Sequence, residues 1–445
     1  MRNRVDEFVA NPKRALFVLA TPVTIAMFVQ TMYNIVDTAF VGRLGAEAIA
    51  ALTFAFPLFF ILISLNSGIG VGINSIISRR LGAKNKEEAE IAAAHGLVMT
   101  TAFAGVIFVI GLLTMRPLFS LFGATPQVQE LSLSYMWIIL GGIFFMFPSF
   151  AMNSIFAAQG NTRTPMVVQS SALILNAVLD PVFIYVLGYG VRGAAIATVI
   201  ALAFSLALYI YLIQTKSYLK IRLRSLKFSF ALCREICRVG APASLMMLTL
   251  SIYVMFLNRY MAHFGTDYVA SFGLATRLES FVALPIFALS ISLLTLVGMF
   301  YGAKKYDILK SLCWYGIRLG IILTSLVGIA FYVFPTPLLK IFTQDRILLI
   351  IGKAYIRIDV FTFPLMSISM TISRILQGMG YGLPGLIINL VRIFIVAVPA
   401  AYVFVFVLGY GFLSIAWAMV LGGVTASLMA FWWLGLKFRA LSGAS

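Results

Sequence analysis

The stretch TPVTIAMFVQTMYNIVDTAFVGRLG (21–45) decides the fold, because it places an acid, Asp37, inside a mostly apolar run of about 30 residues. About 20 apolar residues are enough to cross the hydrocarbon core of a bilayer as a helix. Such runs recur along the whole chain, whose 445 residues are 61% hydrophobic and 11% charged. A β-barrel would show short alternating segments instead, so continuous runs exclude it. We predict an all-α integral membrane protein.

The apolar runs predict twelve transmembrane helices. Their expected spans are 15–38, 50–77, 90–112, 131–156, 165–187, 193–214, 238–262, 273–297, 311–333, 350–376, 384–408 and 412–436. The first run is too long for the apolar part of a cleavable signal peptide, and no small-residue cleavage site follows it. We therefore expect it to remain as the first spanning helix.

The net charge of +18 is explained by membrane topology rather than by nucleic-acid binding. Most Lys and Arg residues fall in the two tails and in the even-numbered loops between the predicted helices. Cytoplasmic loops carry such an excess. We therefore expect a multi-pass protein of the cell (plasma) membrane with both termini cytoplasmic, and no nucleic-acid partner.

The chain has three cysteines, Cys233, Cys237 and Cys313. The Cys-x-x-x-Cys pair has no further Cys or His nearby, which is weak evidence for a metal site. We interpret the three as reduced structural thiols and expect no resident cofactor.

The basic segment 216–237 divides the chain almost in half and predicts a cytoplasmic linker between two six-helix units, 1–215 and 238–445. At a shift of about 220 residues several features recur, which indicates an internal duplication. The matching pairs are Pro22 and Pro242, Gly45 and Gly265, GAK at 82–84 and 302–304, QG at 159–160 and 377–378, and VLGYG at 186–190 and 407–411. Because six is an even number, both halves insert the same way round, related by a pseudo-two-fold axis along the membrane normal with a central cleft.

The polar residues of the predicted helices do not recur at matching positions. Asp37 aligns with Leu257, Thr198 with Met419, and the pair Asn176 and Asp180 with apolar residues in 396–401. An acid at bilayer depth costs several kcal/mol, so it usually has a partner or a function. The sequence therefore predicts a functional polar cluster in the first half.

Spacing places these polar residues on common helix faces. Gln30, Tyr33, Asn34 and Asp37 follow the i, i+3, i+4, i+7 pattern in helix 1, as do Gln169, Asn176 and Asp180 in helix 5, while Ser149, Asn153 and Thr198 complete the wall. The structural alternative is that they only bond neighbouring helices. Two carboxylates, an amide oxygen and a hydroxyl suit Na⁺. Two close carboxylates also suit a proton carrier, and both chemistries stay open.

Pro22 lies inside helix 1, where a proline removes a backbone hydrogen bond and tends to kink the helix. Pro242 lies at the matching place in the second half. The matching proline favours a structural origin for a kink in helix 1. A mechanical role of Pro22 in transport is the alternative interpretation.

Five motifs make the chain resemble the multidrug and toxic compound extrusion (MATE) transporters, most closely their prokaryotic DinF-type branch with archaeal members. They are the opening stretch 21–45, GIGVGINSIISRRLGAKN (68–85), AAQGNTRTP (157–165), LNAVLDPVFIY (175–185) and LQGMGYGLP (376–384). The resemblance implies two six-helix lobes around a V-shaped cleft and alternating access. It also implies export of amphipathic or cationic drugs, driven by Na⁺ or H⁺.

The resemblance further implies a cation-coupling site at Asp37, Asn176 and Asp180, joined by Thr198. We expect substrate to bind beside it, near Gln30, Tyr33, Asn34 and Asn153, in a protein that is not an enzyme and works among membrane lipids as a monomer. The chain departs from the NorM-type pattern, because helix 7 has no acid after Pro242 and helix 10 carries only Asp359 near its start. Coupling through the second lobe is therefore not expected.

The alternative function is a flippase for lipid-linked precursors in the same superfamily. Such flippases tend to line the cleft with several cations. In this chain only five lie in or near predicted helices, all in the second half: Arg277, Arg318, Lys353, Arg357 and Arg392. A channel is disfavoured because the polar cluster is confined to one lobe instead of forming a continuous path. Concentrative movement that stops when the ion gradient collapses would indicate a transporter.

Overall fold

The computed structural model describes residues 4–121, 126–221 and 228–442, and these form helices joined by short turns, with no strand among them. Residues 222–227 of the predicted linker lie outside the described residues. The helices are α1 (Val5–Ala10), α2 (Pro12–Gly42), α3 (Ala46–Gly82), α4 (Lys86–Leu121), α5 (Pro126–Ala158), α6 (Arg163–Pro181), α7 (Gly190–Thr215), α8 (Phe230–Ala262), α9 (Thr266–Gly302), α10 (Tyr306–Val333), α11 (Pro335–Lys340), α12 (Arg346–Asp359), α13 (Thr362–Gly378), α14 (Leu383–Leu390), α15 (Val398–Tyr402) and α16 (Leu413–Ser442). Wider π-helical turns continue α6 (Val182–Val186), α14 (Val391–Ala397) and α15 (Val403–Val407).

Within the described residues, 11 helical segments are long and apolar enough to cross a membrane. The difference from twelve lies at the predicted span 350–376, which the structure divides into α12 and α13. Pro364 has no N–H to bond the carbonyl of Val360, and its ring would clash there in a continuous helix. The hydroxyl of Thr362 donates to the backbone carbonyl of Asp359 at 2.7 Å, which stabilises the break.

The internal duplication is visible in the backbone. Gly45 and Gly265 precede α3 and α9 with φ of 107° and 129°. Lys84 and Lys304 follow the same two helices with φ of 59° and 56°. Residues other than glycine rarely adopt positive φ, so its recurrence at matching lysines reflects a repeated turn rather than chance.

One pair in the sequence alignment of the two halves was wrong. The N–H of Gly160, at φ 74°, donates to the carbonyl of Ala157 at 2.9 Å, and the N–H of Gly380, at φ 96°, donates to that of Gln377 at 3.0 Å. These are the same turn, so Gly160 matches Gly380. The repeated QG dipeptide had matched Gly160 with Gly378. A two-residue match is weak evidence for equivalent positions, whereas a shared left-handed turn with the same hydrogen bond is strong evidence.

The chain forms two compact units. Unit 1 holds the described residues of Met1–Asp6 and Thr21–Ala241, and unit 2 holds those of Glu7–Ala20 and Pro242–Ser445. The helices α2 and α8 therefore each contribute to both units, changing unit next to Pro22 and at Pro242. The domain limits expected from the sequence stay a prediction.

The described residues of the predicted linker are bound to unit 1. The side-chain oxygen of Gln159 accepts hydrogen bonds from the backbone N–H of Tyr218 at 2.8 Å and of Leu219 at 3.3 Å. At the far end, Nε2 of His95 accepts the N–H of Ser229 at 2.8 Å. Buried side chains thus satisfy linker N–H groups that would otherwise lack partners, which fixes both ends of the segment.

The core of each unit is apolar and helical. In unit 1 the side chains of Phe147 and Phe156 on α5 are fully buried, and the second packs on Tyr209 with ring centroids 5.9 Å apart. In unit 2 the core includes Leu257 and Tyr355, both 1% exposed. Each unit therefore presents rigid helices on which polar side chains can be held at bilayer depth.

Candidate cation and substrate site

The site in unit 1 is built around two carboxyl groups, Asp37 on α2 and Asp180 at the end of α6. Asp180 is 0% exposed, and its Oδ2 has no hydrogen-bond partner among the described residues. The two carboxyl groups lie within hydrogen-bonding distance of each other. Two charged carboxylates this close repel each other, so a proton on one of them or a cation beside them would stabilise the pair.

Asn176 holds the second carboxyl in place. It is 2% exposed and lies one turn before Asp180, to whose Oδ1 its Nδ2 donates at 3.2 Å. The amide orientation follows from that bond, so Oδ1 of Asn176 faces α2, where it accepts the hydroxyl of Tyr33. The amide therefore links Tyr33 on α2 to Asp180 on α6.

Thr198 reaches this group from α7. Its hydroxyl donates to the carbonyl of Ala194 at 2.9 Å and lies within hydrogen-bonding distance of the hydroxyl of Tyr33. Because its hydrogen is used, its remaining lone pairs are available as acceptors. The structure thus brings Asp37, Asn176 and Asp180 together around Tyr33, with Thr198 near the same hydroxyl.

Sequence reasoning missed Tyr135 of α5, whose hydroxyl lies within electrostatic reach of both carboxyl groups. A signal for it exists. Tyr135 precedes the predicted site residue Asn153 by 18 residues, which is about five helical turns, so the two lie on one face of α5. A tyrosine hydroxyl can donate a hydrogen bond, so Tyr135 adds a donor to the surroundings of the two acids.

The predicted substrate residues divide into two places. Gln30 and Asn34 are exposed along α2, and Nε2 of Gln30 donates to Oδ1 of Asn34 at 3.2 Å. Asn153 instead lies close to the buried hydroxyl of Tyr209, with which it forms no hydrogen bond. It is about 27 Å along α5 from Tyr135, at 1.5 Å per residue. On α2, Tyr33 and Asn34 lie within about one turn of Asp37 and Gln30 about two turns before it, whereas Asn153 lies on α5 near Tyr209.

Comparison with known proteins agrees with this architecture. The profile of the MatE family matches residues 22–182 and again residues 242–403. The chain belongs to the MatE family. The second match begins about 220 residues after the first, the shift at which the sequence repeats.

Named relatives of this MatE protein cover nearly its whole length. The probable multidrug resistance protein YoeA of Bacillus subtilis is 30% identical over 399 residues, covering 88% of this chain and 86% of its own. The FAD transporter of Shewanella oneidensis is 27% identical over 409 residues, covering 90% of both. A solved structure of a MOP superfamily transporter from Pyrococcus furiosus superposes with a TM-score of 0.94 at 30% identity, covering 99% of both chains.

Unit 2 of the MatE protein also contains a buried acid pair. Glu279 on α9 and Asp359 at the end of α12 lie within hydrogen-bonding distance of each other, and each has one sealed carboxyl oxygen without a partner among the described residues. Sequence reasoning predicted a polar cluster in the first half and missed this second acid pair. A position-by-position comparison of the two halves could not find the second pair. Glu279 and Asp359 lie on α9 and α12, whereas Asp37 and Asp180 lie on α2 and α6, which are not the matching helices.

The tyrosines around the two acid pairs do match. Tyr253 and Tyr355 lie within electrostatic reach of both acids of unit 2. At the shift of about 220 residues they are the counterparts of Tyr33 and Tyr135. The fold of this MatE protein thus repeats a pair of tyrosines beside an acid pair, while the acids themselves come from different helices.

A Na⁺ site in either unit needs oxygen ligands in addition to carboxylates. Within the described ranges, no group of three or more His, Cys, Asp or Glu side chains is arranged to hold a metal ion. In unit 1 two carboxylates are supplemented by the neutral oxygens of Asn176 and Thr198. This donor set suits a hard monovalent cation, which needs oxygens but little negative charge.

Proposed function

We propose that this MatE protein is a cation-coupled multidrug efflux antiporter that exports amphipathic or cationic organic compounds in exchange for Na⁺, H⁺ or both by alternating access. The observation that carries the proposal is the contact of Asp37 with Asp180 inside membrane-spanning helices. A charged carboxylate at that depth costs several kcal/mol. A pair kept there without a permanent counter-ion suits a site that binds and releases a cation in each transport cycle.

For the coupling ion, we assign Asp37, Asn176, Asp180 and Thr198 as ligands of Na⁺. A proton on one carboxyl satisfies the same pair. The two ions therefore compete for one site, and no resident cofactor is needed.

For the substrate, we assign the wall formed by Gln30, Tyr33 and Asn34, with Asn153 further along the unit. Tyr33 belongs to both sites, since its hydroxyl bonds Asn176. A cation that reorganises this bond changes the substrate wall, so loading one ligand weakens the other without a long relay. A bend of α2 at Pro22 supplies the movement that exchanges them.

The relatives support export but leave the solute open. One is named a probable multidrug resistance protein and another an FAD transporter. We propose that this chain acts as a monomer among the lipids of the cell membrane, with both termini in the cytoplasm. It carries out transport and no enzymatic reaction.

The decisive experiment is transport by the purified protein in proteoliposomes with separately imposed Na⁺ and H⁺ gradients. We expect concentrative movement of a cationic dye that stops when both gradients are collapsed. Movement that ignores the gradients, or movement of a lipid-linked headgroup in place of the dye, would favour the flippase alternative. That alternative draws on the cations of the second half, of which Arg357 already lies over the ring of Tyr332 at 5.6 Å.

A further inference from the structure

Unit 2 contains an arginine at membrane depth without a charged partner. Arg392 lies in the π-helical turn Val391–Ala397, inside the span Leu383–Val407. Its Nε is sealed from solvent without an acceptor, and no ion pair or hydrogen bond holds its guanidinium among the described residues. Arginine within a bilayer is costly and is normally paired or functional.

The stem of Arg392 is fixed while its charged end stays accessible. On α16, a Cβ added to Gly422 would lie 3.0 Å from the backbone oxygen of Arg392 and 3.4 Å from its Cγ, so the helix packs directly on the stem. The guanidinium lies over the ring of Tyr253, 5.8 Å from the centroid. The residue as a whole is half-buried, so its charged end is not completely enclosed. Because the stem is fixed and the charged end lies over an aromatic ring, the guanidinium of Arg392 is held in one orientation, with its N–H donors available to a ligand.

The neighbouring polar side chains do not use these donors. Asn389, one turn earlier, donates its Nδ2 to the hydroxyl of Thr249 at 2.6 Å and to the carbonyl of Met246 at 3.3 Å. Glu279 and Asp359 lie close to Tyr253 and beside each other, and neither forms an ion pair with Arg392. A residue kept only to balance these acids would be expected to pair with one of them. The charge of Arg392 is therefore free for a ligand.

We propose that Arg392, lying over Tyr253, is a subsite of unit 2 for the carboxylate or phosphate group of an amphipathic solute. The proposal rests on the proposed export function and extends its substrates from cations to zwitterions and organic anions. A guanidinium binds both groups through two parallel hydrogen bonds, and such charge-assisted bonds are strong away from water.

The test uses a matched pair of dyes, rhodamine 110, which carries a free carboxylate, and rhodamine 123, its methyl ester. Binding to the full chain in phosphatidylcholine nanodiscs is followed by fluorescence polarisation without an ion gradient. We expect Arg392→Gln to weaken binding of the acid about 10- to 100-fold, the range for losing a hydrogen bond to a charged group, and to leave the ester unchanged. Arg392→Lys keeps the positive charge but cannot form two parallel hydrogen bonds. Its affinity for the acid should therefore lie between those of the wild type and of Arg392→Gln.

Arg318→Gln is the control, because Arg318 is an exposed arginine on α10 of the same unit. It should leave both dyes unchanged. Equal weakening of acid and ester by Arg392→Gln would show a structural role and overturn the proposal, as would no change in either. If Arg392→Gln fails to fold, Arg392→Lys must still lower the acid-to-ester preference, or the proposal fails.

Two further arms separate the sources of the anion and the two proposals. Phosphatidic acid added to the nanodiscs should not displace rhodamine 110. If it does so in the wild type but not in Arg392→Gln, the site belongs to a lipid headgroup and the solute assignment is wrong.

Gradient-driven export of rhodamine 123 is measured in proteoliposomes of the same preparation. If export is lost while the preference for rhodamine 110 over its ester depends on Arg392 as expected, the proposed export function is wrong and the anion subsite stands.

Discussion

Tyr33 and Tyr253 occupy matching positions in the two halves of the chain and both lie near an acid pair, but their direct partners differ. The hydroxyl of Tyr33 donates to the amide oxygen of Asn176 beside an acid pair, whereas the ring of Tyr253 lies under the guanidinium of Arg392. The duplication thus kept the tyrosine and changed what surrounds it. Under the two proposals above, this repeated framework would hold two polar sites of different charge preference.

Replacing Asp37 by Asn should abolish gradient-driven export, because the amide keeps the size of the side chain but removes the charge that binds the coupling ion. We expect transport to fall at least about tenfold in proteoliposomes, with normal membrane insertion and monodisperse purified protein. The matched control is Leu257→Met at the corresponding position of unit 2, which preserves volume and should be almost silent. Normal transport by Asp37→Asn would eliminate the assigned site.

Sodium and protons should compete for the carboxyl pair of unit 1. We expect Na⁺ to change the intrinsic fluorescence of the protein at neutral pH, with an apparent affinity that falls as the pH is lowered, because a proton then occupies a carboxyl that Na⁺ requires. In Asp180→Asn the Na⁺ response should weaken and lose most of this pH dependence. A Na⁺ response that survives loss of both aspartates would locate the ion elsewhere.

The acid pair of unit 2 allows a direct test of whether both units take part in coupling. We expect Asp359→Asn to shift the pH dependence of transport while leaving Na⁺ binding at unit 1 intact, because Asp359 lies beside Glu279 in unit 2, whereas the Asp37 cluster belongs to unit 1. Transport is measured from pH 6 to 8, a range of about 2 units chosen to span ordinary titration near neutrality. An unchanged profile would assign this pair a purely structural role.

Close packing of the linker on unit 1 predicts a stability effect at Gly72. A Cβ added there would lie 2.3 Å from the backbone oxygen of Ile236, which cannot move aside as a flexible side chain would. Gly72→Ala should therefore lower thermal stability by an amount equivalent to about 1–3 kcal/mol. Gly141→Ala is the control, since nothing lies within 4 Å of its added Cβ. Equal melting temperatures for the two variants would contradict the packing.

The sequence predicted the helical membrane architecture because composition and run length act locally. The spans are set by apolar runs, and the repeat is carried by turn residues such as Gly45 and Gly265. The acid at Asp37 was likewise recognisable, since a charge inside an apolar run is conspicuous wherever the chain folds. Spacing on single helices also grouped Asn176 with Asp180, four residues apart on one face.

Contacts between helices could be decided only by the tertiary structure. Glu279 and Asp359 are far apart in sequence on separate helices, and no periodicity links them; their contact depends on how α9 packs against α12. The same holds for Arg392, whose stem is fixed by Gly422 of α16. The break before Thr362 arises from one proline within an apolar run, which hydropathy alone does not register. Hydrophobic pattern thus determines which segments enter the membrane, whereas side-chain packing in three dimensions determines which buried charges meet and which stay available for a ligand.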